Sequence, residues 1–261
     1  MASMTLPVTF YCAVPSSNPR GLVTEDWELD LAKTAFVELH GWNVGCPGGP
    51  PVPEEYWVDV GSPQNHELAW RVIEDHAAPA LEAARKAGMT VAHVQPDSIA
   101  KLYKGIQPPM PEALPAEPSW GWAPVSSHAS DRAQRVHGQG FMNWPGWKDL
   151  DIAIPLKPID GEAMLATTDQ FDAWLRSKGI DTLVYIGFCT NLCILDSPAS
   201  MKPMAGRGYR CILLREATLA VEFPETIEQR LCTQVALRYI ESWVGYTAST
   251  LDFAVATASV R

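Results

Sequence analysis

Short apolar runs alternate with helical repeats along most of this chain, and that alternation limits its possible folds more than any other feature. The run Thr34-Ala-Phe-Val-Glu-Leu is typical of a buried strand. Residues 65–87 then place apolar side chains on one helix face, with a kink expected at Pro79. A second apolar run follows at 89–94. Strand, helix and strand in succession predict a βαβ unit, which favours a parallel sheet.

The same alternation resumes in the second half of the chain. We predict strands at 152–156, 182–187 and 210–214, helices at 167–178, 191–205 and 226–243, and a last short segment at 249–254. The chain is therefore expected to be a single three-layer α/β/α domain over 1–261, with a doubly wound, six-stranded parallel sheet. Residues 1–30 are interpreted as an irregular N-terminal extension, and the Gly/Pro-rich 41–63 and the Pro/Trp-rich 97–148 as insertions that form a lid or pocket.

Composition excludes several classes of partner. Hydrophobic residues make up 47% of the 261 positions, which is ample for one large core. The formal net charge is −10 with no run of lysines or arginines, so neither nucleic acid nor an anionic membrane is an expected partner. No uncharged stretch approaches the ~20 residues that span a bilayer. Six scattered cysteines without a CxxC pair are typical of reduced thiols in a cytoplasmic protein.

Three reactive side chains fall near the predicted carboxyl ends of strands, where open α/β sheets bind ligands. Glu38 closes the first strand, Lys157 follows the predicted third, and Cys193 lies just past the fourth. A cysteine in the first turn of a helix gains thiolate stabilisation from the macrodipole, and a nearby lysine would add to it. The alternatives are a buried apolar cysteine, a strand-end carboxylate that caps a helix, and a solvated surface lysine.

The segment around Cys193 carries a family resemblance. Gly187-Phe-Cys-Thr-Asn-Leu-Cys-Ile-Leu, followed by Gly206-Arg-Gly-Tyr-Arg-Cys-Ile-Leu-Leu-Arg-Glu-Ala, resembles the isochorismatase-like cysteine hydrolases. That family includes nicotinamidases, N-carbamoylsarcosine amidases, and ureidoacrylate and biuret hydrolases. The resemblance extends from about residue 30 to 255, apart from the two insertions.

The resemblance implies a role for each reactive residue. Cys193 would be the nucleophile, Lys157 the residue that favours its thiolate, and Glu38 the general base. The backbone N–H groups of Cys189 and Cys193 would form the oxyanion hole, beyond a cis peptide between Phe188 and Cys189. The implied reaction is hydrolysis of a C–N bond in a small amide, ureide or carbamoyl compound through a thioester.

Two departures from the family pattern bear on these roles. The family has Asp where this chain has Glu38, and the extra methylene shifts the carboxylate by about an ångström. Metal-dependent relatives carry an Asp-x-His set after the second strand, but here that region is Val91-Ala-His-Val-Gln-Pro-Asp-Ser. We expect no catalytic metal and no cofactor, and we interpret His93 as a core or pocket histidine.

Several further side chains are candidates for binding the substrate. Tryptophans in the insertions are expected either to build a hydrophobic pocket wall or to form a satellite core or oligomer contact. A homodimer or homotetramer is expected because relatives commonly assemble so. The candidate substrate-binding residues are His40, Trp42, Trp144, Trp147, Phe188 and Asn191, and the other insertion tryptophans are Trp57, Trp120 and Trp122.

Two other functions stay open at this point. The first is enol-ether hydrolysis of the isochorismatase kind, which needs no cysteine nucleophile and is disfavoured by Cys193. The second is a catalytically inactive binding protein, which the replacement of Asp by Glu38 makes conceivable.

Overall fold

A computed structural model describes residues 2–109 and 127–260. Trp120 and Trp122 lie outside these ranges. The described strands form one sheet with the order β2-β1-β8-β7-β6-β3-β4-β5. Their bounds are β1 (Ser3–Cys12), β2 (Gly21–Asp30), β3 (Thr34–Leu39), β4 (Thr90–Val94), β5 (Ala163–Leu165), β6 (Thr182–Gly187), β7 (Arg210–Leu214) and β8 (Tyr246–Ala248).

The sheet has eight strands instead of the predicted six, and six of them, β3 to β8, run parallel. Alternate residues of the strands enter two apolar clusters on opposite faces, since Phe36 belongs to one cluster and Val37 to the other. The described helices are α1 (Pro63–Val72), α2 (Ala78–Lys86), α3 (Asp97–Ala100), α4 (Ser127–His137), α5 (Thr168–Lys178), α6 (Cys193–Asp196), α7 (Met201–Gly206), α8 (Leu231–Tyr239) and α9 (Thr250–Ala258). The three-layer α/β class is confirmed.

The prediction of an irregular segment at 1–30 is wrong. Residues 3–30 form an antiparallel hairpin, and β1 adds to the sheet beside β8. In β1 the side chains of Met4, Leu6 and Val8 are buried at every second position, which is the period of a half-buried strand. β2 is largely exposed and acidic, and charges of this kind protect a sheet edge from pairing with other chains.

The predicted third strand at 152–156 is also wrong. Ile154–Leu156 is a short 3₁₀ turn, because Pro155 has no N–H to donate to a ladder. The strand that pairs with β4 is instead β5, which is only three residues long. Lys157 therefore precedes a strand rather than following one, and its proximity to the site depends on the connecting loop.

The helix boundaries follow local signals where these are strong. The predicted break near Pro79 is present, as a π turn at Ile73–Ala77 that joins α1 to α2. The side chain of Thr167 caps α5 by accepting the Gln170 N–H, and Gly179 ends it in a left-handed conformation. The predicted last segment at 249–254 is the start of α9, and the sixth parallel strand, β8, precedes it.

Candidate active site

The carboxyl ends of β3 and β6 lie side by side. Leu39 pairs with Gly187, and the Phe188 N–H donates to the Leu39 carbonyl at 3.0 Å. Gly187 has a φ of 131°, and a Cβ there would lie 1.8 Å from the Leu39 oxygen, so only glycine fits. The peptide between Phe188 and Cys189 is cis, as the resemblance implied.

The predicted helix over 191–205 is not continuous. The chain forms α6 and α7, separated by Ser197–Ser200 outside either helix, and Cys193 begins the four-residue α6. A single turn has little macrodipole, since that effect sums over aligned peptide units. The expected stabilisation of the thiolate by a long helix is therefore absent.

Backbone groups nevertheless favour a negative charge on Cys193. The N–H groups of Cys189 and Cys193 are directed at its sulfur and act to lower its pKa. Burial, together with the negative charge of Asp59, outweighs them and raises the pKa of the Cys193 thiol to about 11. At this pKa the Cys193 thiol is protonated near neutral pH, with two backbone donors acting on its sulfur.

Glu38 lies in a buried polar network. Its Oε1 accepts the Gly41 N–H at 2.6 Å, and its Oε2 accepts from Gln95 at 2.9 Å and faces His93 Nδ1 at 3.0 Å. The side chain is 0% exposed. Among the described residues no hydrogen bond or ion pair joins Glu38 to Cys193. Its hydrogen-bond partners, Gly41, Gln95 and His93, are those of a structural carboxylate, and the sulfur of Cys193 is not one of them in the described part of the chain.

The network continues away from Glu38. His93 Nε2 lies 2.8 Å from Glu162 Oε2, and Arg85 donates to both oxygens of Glu162 at 2.6 and 2.9 Å. Burial alone would lower the pKa of His93, but its hydrogen bonds to Glu162 and Glu38 outweigh this and raise it. Arg85 also donates to the Lys157 carbonyl at 2.9 Å, so the network holds the loop that carries Lys157. The sequence indicated His93 as a core or pocket histidine, which agrees with its burial.

The ammonium of Lys157 pairs with a different acid. Its Nζ donates to Asp151 Oδ2 at 2.6 Å, and the Tyr103 hydroxyl donates to the other oxygen of Asp151 at 2.6 Å. The Lys157 side chain is 42% exposed. In the part of the chain that the structure describes, no hydrogen bond joins Lys157 to Cys193.

The imidazole of His40 carries a buried nitrogen that is available for a further hydrogen bond. It follows β3 in a left-handed conformation with a φ of 56°, is 8% exposed, and stacks on Trp42 at 5.2 Å between ring centroids. Within residues 2–109 and 127–260, no hydrogen-bond partner lies at its buried Nδ1. Burial lowers the pKa of His40 to about 3, so the ring is neutral. Trp42 donates its indole N–H to Gln95 at 3.0 Å, and Gln95 in turn donates to Glu38, so the stacked ring of His40 is linked to Glu38.

The remaining candidates for substrate contact lie in core or scaffold positions. Trp144 is 5% exposed and packs edge-on against Trp147 at 5.1 Å, and Trp147 donates to the Phe141 carbonyl. Phe188 is 3% exposed. Asn191 accepts the Val221 N–H at 3.0 Å and so holds the Cys193 loop to the following segment. Trp144 belongs to the same apolar cluster as Phe36, and Trp147 packs against that cluster.

Sequence reasoning missed Asp59, whose charge acts on Cys193 and Cys189. It stands in the Gly/Pro-rich 41–63 segment, between two valines that become buried. The sequence signal that could have identified Asp59 is a carboxylate directly before Val60-Gly61, inside an apolar stretch.

Two properties of the described ranges concern metal binding and membrane insertion. Within 2–109 and 127–260, no group of three or more His, Cys, Asp and Glu side chains is arranged to hold a metal ion. No helix in those ranges is long and apolar enough to cross a bilayer.

Comparison with known proteins gives consistent matches. The isochorismatase domain model matches residues 158–241. The ureidoacrylate amidohydrolase RutB of Caulobacter segnis is 30% identical over 262 residues, covering 97% of this chain and 95% of the relative. The protein of the same name from Caulobacter vibrioides is 29% identical, covering 97% and 96%.

Solved structures agree on the fold. A cysteine hydrolase from Pseudomonas syringae pv. phaseolicola superposes with a TM-score of 0.54 at 15% identity, covering 89% of this chain and 96% of that one. An isochorismatase-like hydrolase from Alkaliphilus metalliredigens gives a TM-score of 0.50 at 16% identity, covering 87% and 99%.

Proposed function

The chain belongs to the isochorismatase-like cysteine hydrolase family, and on that premise we propose that it hydrolyses a C–N bond of a small amide, ureide or carbamoyl compound with Cys193 as the nucleophile. It is an amidohydrolase by its similarity to curated relatives that carry that name. The observation that supports Cys193 is its position past the carboxyl end of β6, with the N–H groups of Cys189 and Cys193 directed at its sulfur.

The proposed reaction proceeds in two halves. The Cys193 thiolate adds to the carbonyl carbon, and the N–H groups of Cys189 and Cys193 bind the resulting oxyanion. The C–N bond breaks, the nitrogen leaves as ammonia or an amine after it accepts a proton, and a thioester is left on Cys193. Water then attacks the thioester, and the acid product leaves as the thiol is restored.

Lys157 is part of this proposal. Its side chain is 42% exposed and sits on a flexible four-carbon stem, so its ammonium is able to leave Asp151 and turn toward a thiolate that forms on substrate binding. The base role that the family resemblance gives to Glu38 has weaker support, since Gly41, His93 and Gln95 already occupy both carboxylate oxygens.

An ammonia-release screen over small amides, ureides and carbamates tests the proposal, with ureidoacrylate first because the curated relatives carry that name. Cys193→Ala should lower turnover on any substrate found by at least about 1,000-fold, as expected when a nucleophile is removed. Cys232→Ala is the matched control, because Cys232 is a partly buried thiol on α8. Turnover by Cys193→Ala equal to that of Cys232→Ala would exclude the cysteine mechanism.

A catalytically inactive binding protein is the second candidate, and the raised pKa of Cys193 favours it. To separate the two candidates, the protein is incubated with a substrate from the screen, and its remaining free thiols are then labelled with iodoacetamide. Mass spectrometry should detect a thioester on Cys193 if the chain is a hydrolase, and an unmodified thiol throughout would favour the binding protein. The same measurement bears on enol-ether hydrolysis, which forms no thioester.

The cellular location of the protein and its oligomeric state are part of the same proposal. All six cysteines are free, including Cys12 and Cys232 at partly exposed positions, which supports a reducing, cytoplasmic location. The homodimer or homotetramer expected from relatives is tested by light scattering coupled to size-exclusion chromatography, where a monomer mass would contradict it.

A further inference from the structure

An exposed apolar row runs along α8 and the π turn Ile240–Val244 that continues it. Residues four apart lie one above the other on a helix, so this spacing places their side chains in a line. Successive members of the row are 39%, 69%, 41% and 80% exposed. From end to end the row covers about 18 Å of helix. We term it the α8 row, and its members are Leu231, Val235, Tyr239 and Trp243.

The exposed area of the α8 row is large for a protein that has no partner. With aromatic side chains that each offer 150–250 Å², the exposed fractions amount to roughly 450 Å² of apolar surface. The largest apolar patch on a typical monomer is about 300–600 Å², and such a patch is often functional. Trp243 makes the largest contribution, since it is the most exposed and the largest of the four. The α8 row is therefore a candidate contact surface.

A polar row lies beside the α8 row on the same exposed face of the helix. The chain has a formal net charge of −10, so two copies of it repel each other on approach. That repulsion is smallest where the facing surfaces carry no acids. The polar row repeats with the same spacing of four, contains two arginines and no acid, and consists of Arg230, Gln234, Arg238 and Ser242.

Neighbouring groups already hold parts of this face in place. The ammonium of Lys202 lies 5.1 Å from the centroid of the Tyr239 ring, and it is paired with Asp196 of α6 at 2.9 Å. The guanidinium of Arg238 lies 5.4 Å from the centroid of the Tyr11 ring. Side chains that are ordered in advance lose less conformational entropy when a partner covers them. The face is thus pre-organised for a contact.

The order of side chains along the α8 row fits an antiparallel copy of the same helix. The row begins with two aliphatic side chains and ends with two aromatic ones. A two-fold axis at its midpoint reverses this order in the second copy, so Leu231 meets Trp243 there, and Val235 meets Tyr239. Each aliphatic side chain then packs on an aromatic ring, which keeps the space between the two helices evenly filled.

The polar row fits the same axis. Arg238 of each copy lies opposite Gln234 of the other, whose amide oxygen accepts from a guanidinium. Arg230 lies opposite Ser242, a second oxygen acceptor. In a parallel pair, by contrast, each arginine would face the same arginine of the second copy. The polar row therefore favours the antiparallel arrangement.

We propose that α8 packs antiparallel against α8 of a second copy of this chain, about a two-fold axis at the middle of the α8 row. The proposal rests on the assembly part of the proposed function, the homo-oligomer, and it is independent of the chemistry at Cys193. The two α8 rows together remove roughly 900 Å² of apolar surface from water, and the polar rows bring the contact to the about 1,200 Å² at which specific, stable interfaces begin.

Val235→Glu tests the surface, because it places a carboxylate near the middle of the α8 row. Its matched control is Val255→Glu, since Val255 is 61% exposed on α9. The two positions lie on opposite sides of the sheet, because α9 buries Phe253 in one apolar cluster and the turn after α8 buries Ile240 in the other.

Light scattering coupled to size-exclusion chromatography is the first measurement. Wild type and Val255→Glu should show the same multiple of 28.6 kDa, and Val235→Glu should show half that mass. In sedimentation equilibrium, Val235→Glu and Trp243→Ala should each raise the dissociation constant by at least about 100-fold, as expected at the centre of an interface. Circular dichroism should be the same for all variants, since each altered side chain is exposed.

Gln234→Glu and Gln234→Lys test the antiparallel arrangement. In that arrangement residue 234 lies opposite Arg238 of the second copy, so the acid should tighten the contact and the lysine should weaken it. The two dissociation constants should differ by about tenfold at low salt, and the difference should shrink as salt is added. The interactions of residue 234 with arginines of its own helix are present in monomer and dimer alike, and they cancel in this comparison.

Three results overturn the inference. A monomer mass for wild type would remove the homo-oligomer and leave the α8 row to a different protein. Equal masses for Val235→Glu and Val255→Glu, both those of the wild-type oligomer, would move the assembly to another surface. Equal dissociation constants for the two Gln234 variants would exclude the antiparallel pair. The turnover of Cys193→Ala tests the hydrolysis alone, so failure of the proposed chemistry is a separate outcome.

Discussion

Glu38 and Asp59 are two acids near the carboxyl end of the sheet, and their surroundings differ in kind. Glu38 belongs to what we term the Glu38 network, formed by Glu38, His93, Gln95, Glu162 and Arg85, in which acids and donors are paired at 2.6–3.0 Å. Asp59 has no ion pair among the described residues, and its negative charge raises the pKa values of the thiols of Cys46, Cys189 and Cys193.

The comparison distinguishes a carboxylate that stabilises the fold from a carboxyl group that is suited to acid–base chemistry. A buried carboxylate whose oxygens are all occupied stabilises the fold only while its partners remain, and removing one partner is costly. A carboxyl group without a counter-ion keeps a proton affinity near the working pH, which is what an acid–base group needs. Substitutions in the Glu38 network should therefore act mainly on stability, and those near Cys193 on turnover.

Glu38→Ala tests the first half of this comparison and should have the largest effect on stability. It leaves the Gly41 N–H, the Gln95 amide and His93 Nδ1 without their partner in the interior. The free energy of unfolding should fall by about 3–5 kcal/mol, measured by urea denaturation. Glu67→Ala, which removes an exposed ion pair with Arg71, should cost less than about 1 kcal/mol. Equal losses in the two variants would contradict the structural role of Glu38.

His40→Asn sharpens the comparison through pH. In the folded chain the pKa of His40 is about 3, below its usual 6.5, so the unfolded chain binds a proton that the folded chain does not. Wild-type stability should therefore fall as the pH drops from 6.5 toward 3, by up to about 4 kcal/mol from this residue. The variant should lose less over the same window, with a remainder from His66. Parallel curves for the two proteins, from urea unfolding at each pH, would refute the buried neutral ring.

Glu162→Gln probes the far end of the Glu38 network. Arg85 and His93 outweigh the effect of burial and lower the pKa of Glu162 to about 2 from 4.5. A depressed carboxyl pKa contributes stability above the unfolded value, and this contribution is lost as the pH falls from about 4.5 to 2. The variant should be less stable at pH 7 by about 2 kcal/mol, and the gap to wild type should close below pH 4. A gap that persists at pH 2 would show that lost packing, not charge, is responsible.

Lys157→Met should have the smallest effect on stability, below about 1 kcal/mol, because its ion pair with Asp151 is partly exposed. Its effect on turnover should be at least about tenfold if the ammonium favours the thiolate. Lys202→Met, at a similar ion pair with Asp196, is the control for both measurements. Turnover that matches the control would remove Lys157 from the mechanism.

Sequence reasoning reached the parallel sheet and the position of Cys193, and it erred where signals were local and weak. The hairpin at 3–30 was hidden because β2 is an acidic edge with few buried side chains. β5 is three residues long, too short for periodicity to detect. The helix after Cys193 was predicted as one because its apolar residues continue, yet the backbone leaves the helix at Ser197.

The sequence by itself determined the order of alternating strands and helices and the motif around Cys193. Both depend on residues that lie close together along the chain. The partners and surroundings of each acid were decided only by tertiary structure. Glu38 and Asp59 are separated from Cys193 by more than a hundred residues, and their environments depend on partners such as His93 and Asn65 that no local pattern links to them. A carboxylate has the same chemical structure in an ion-paired network and in a turn that offers it no counter-ion. Only its neighbours in space distinguish the two cases.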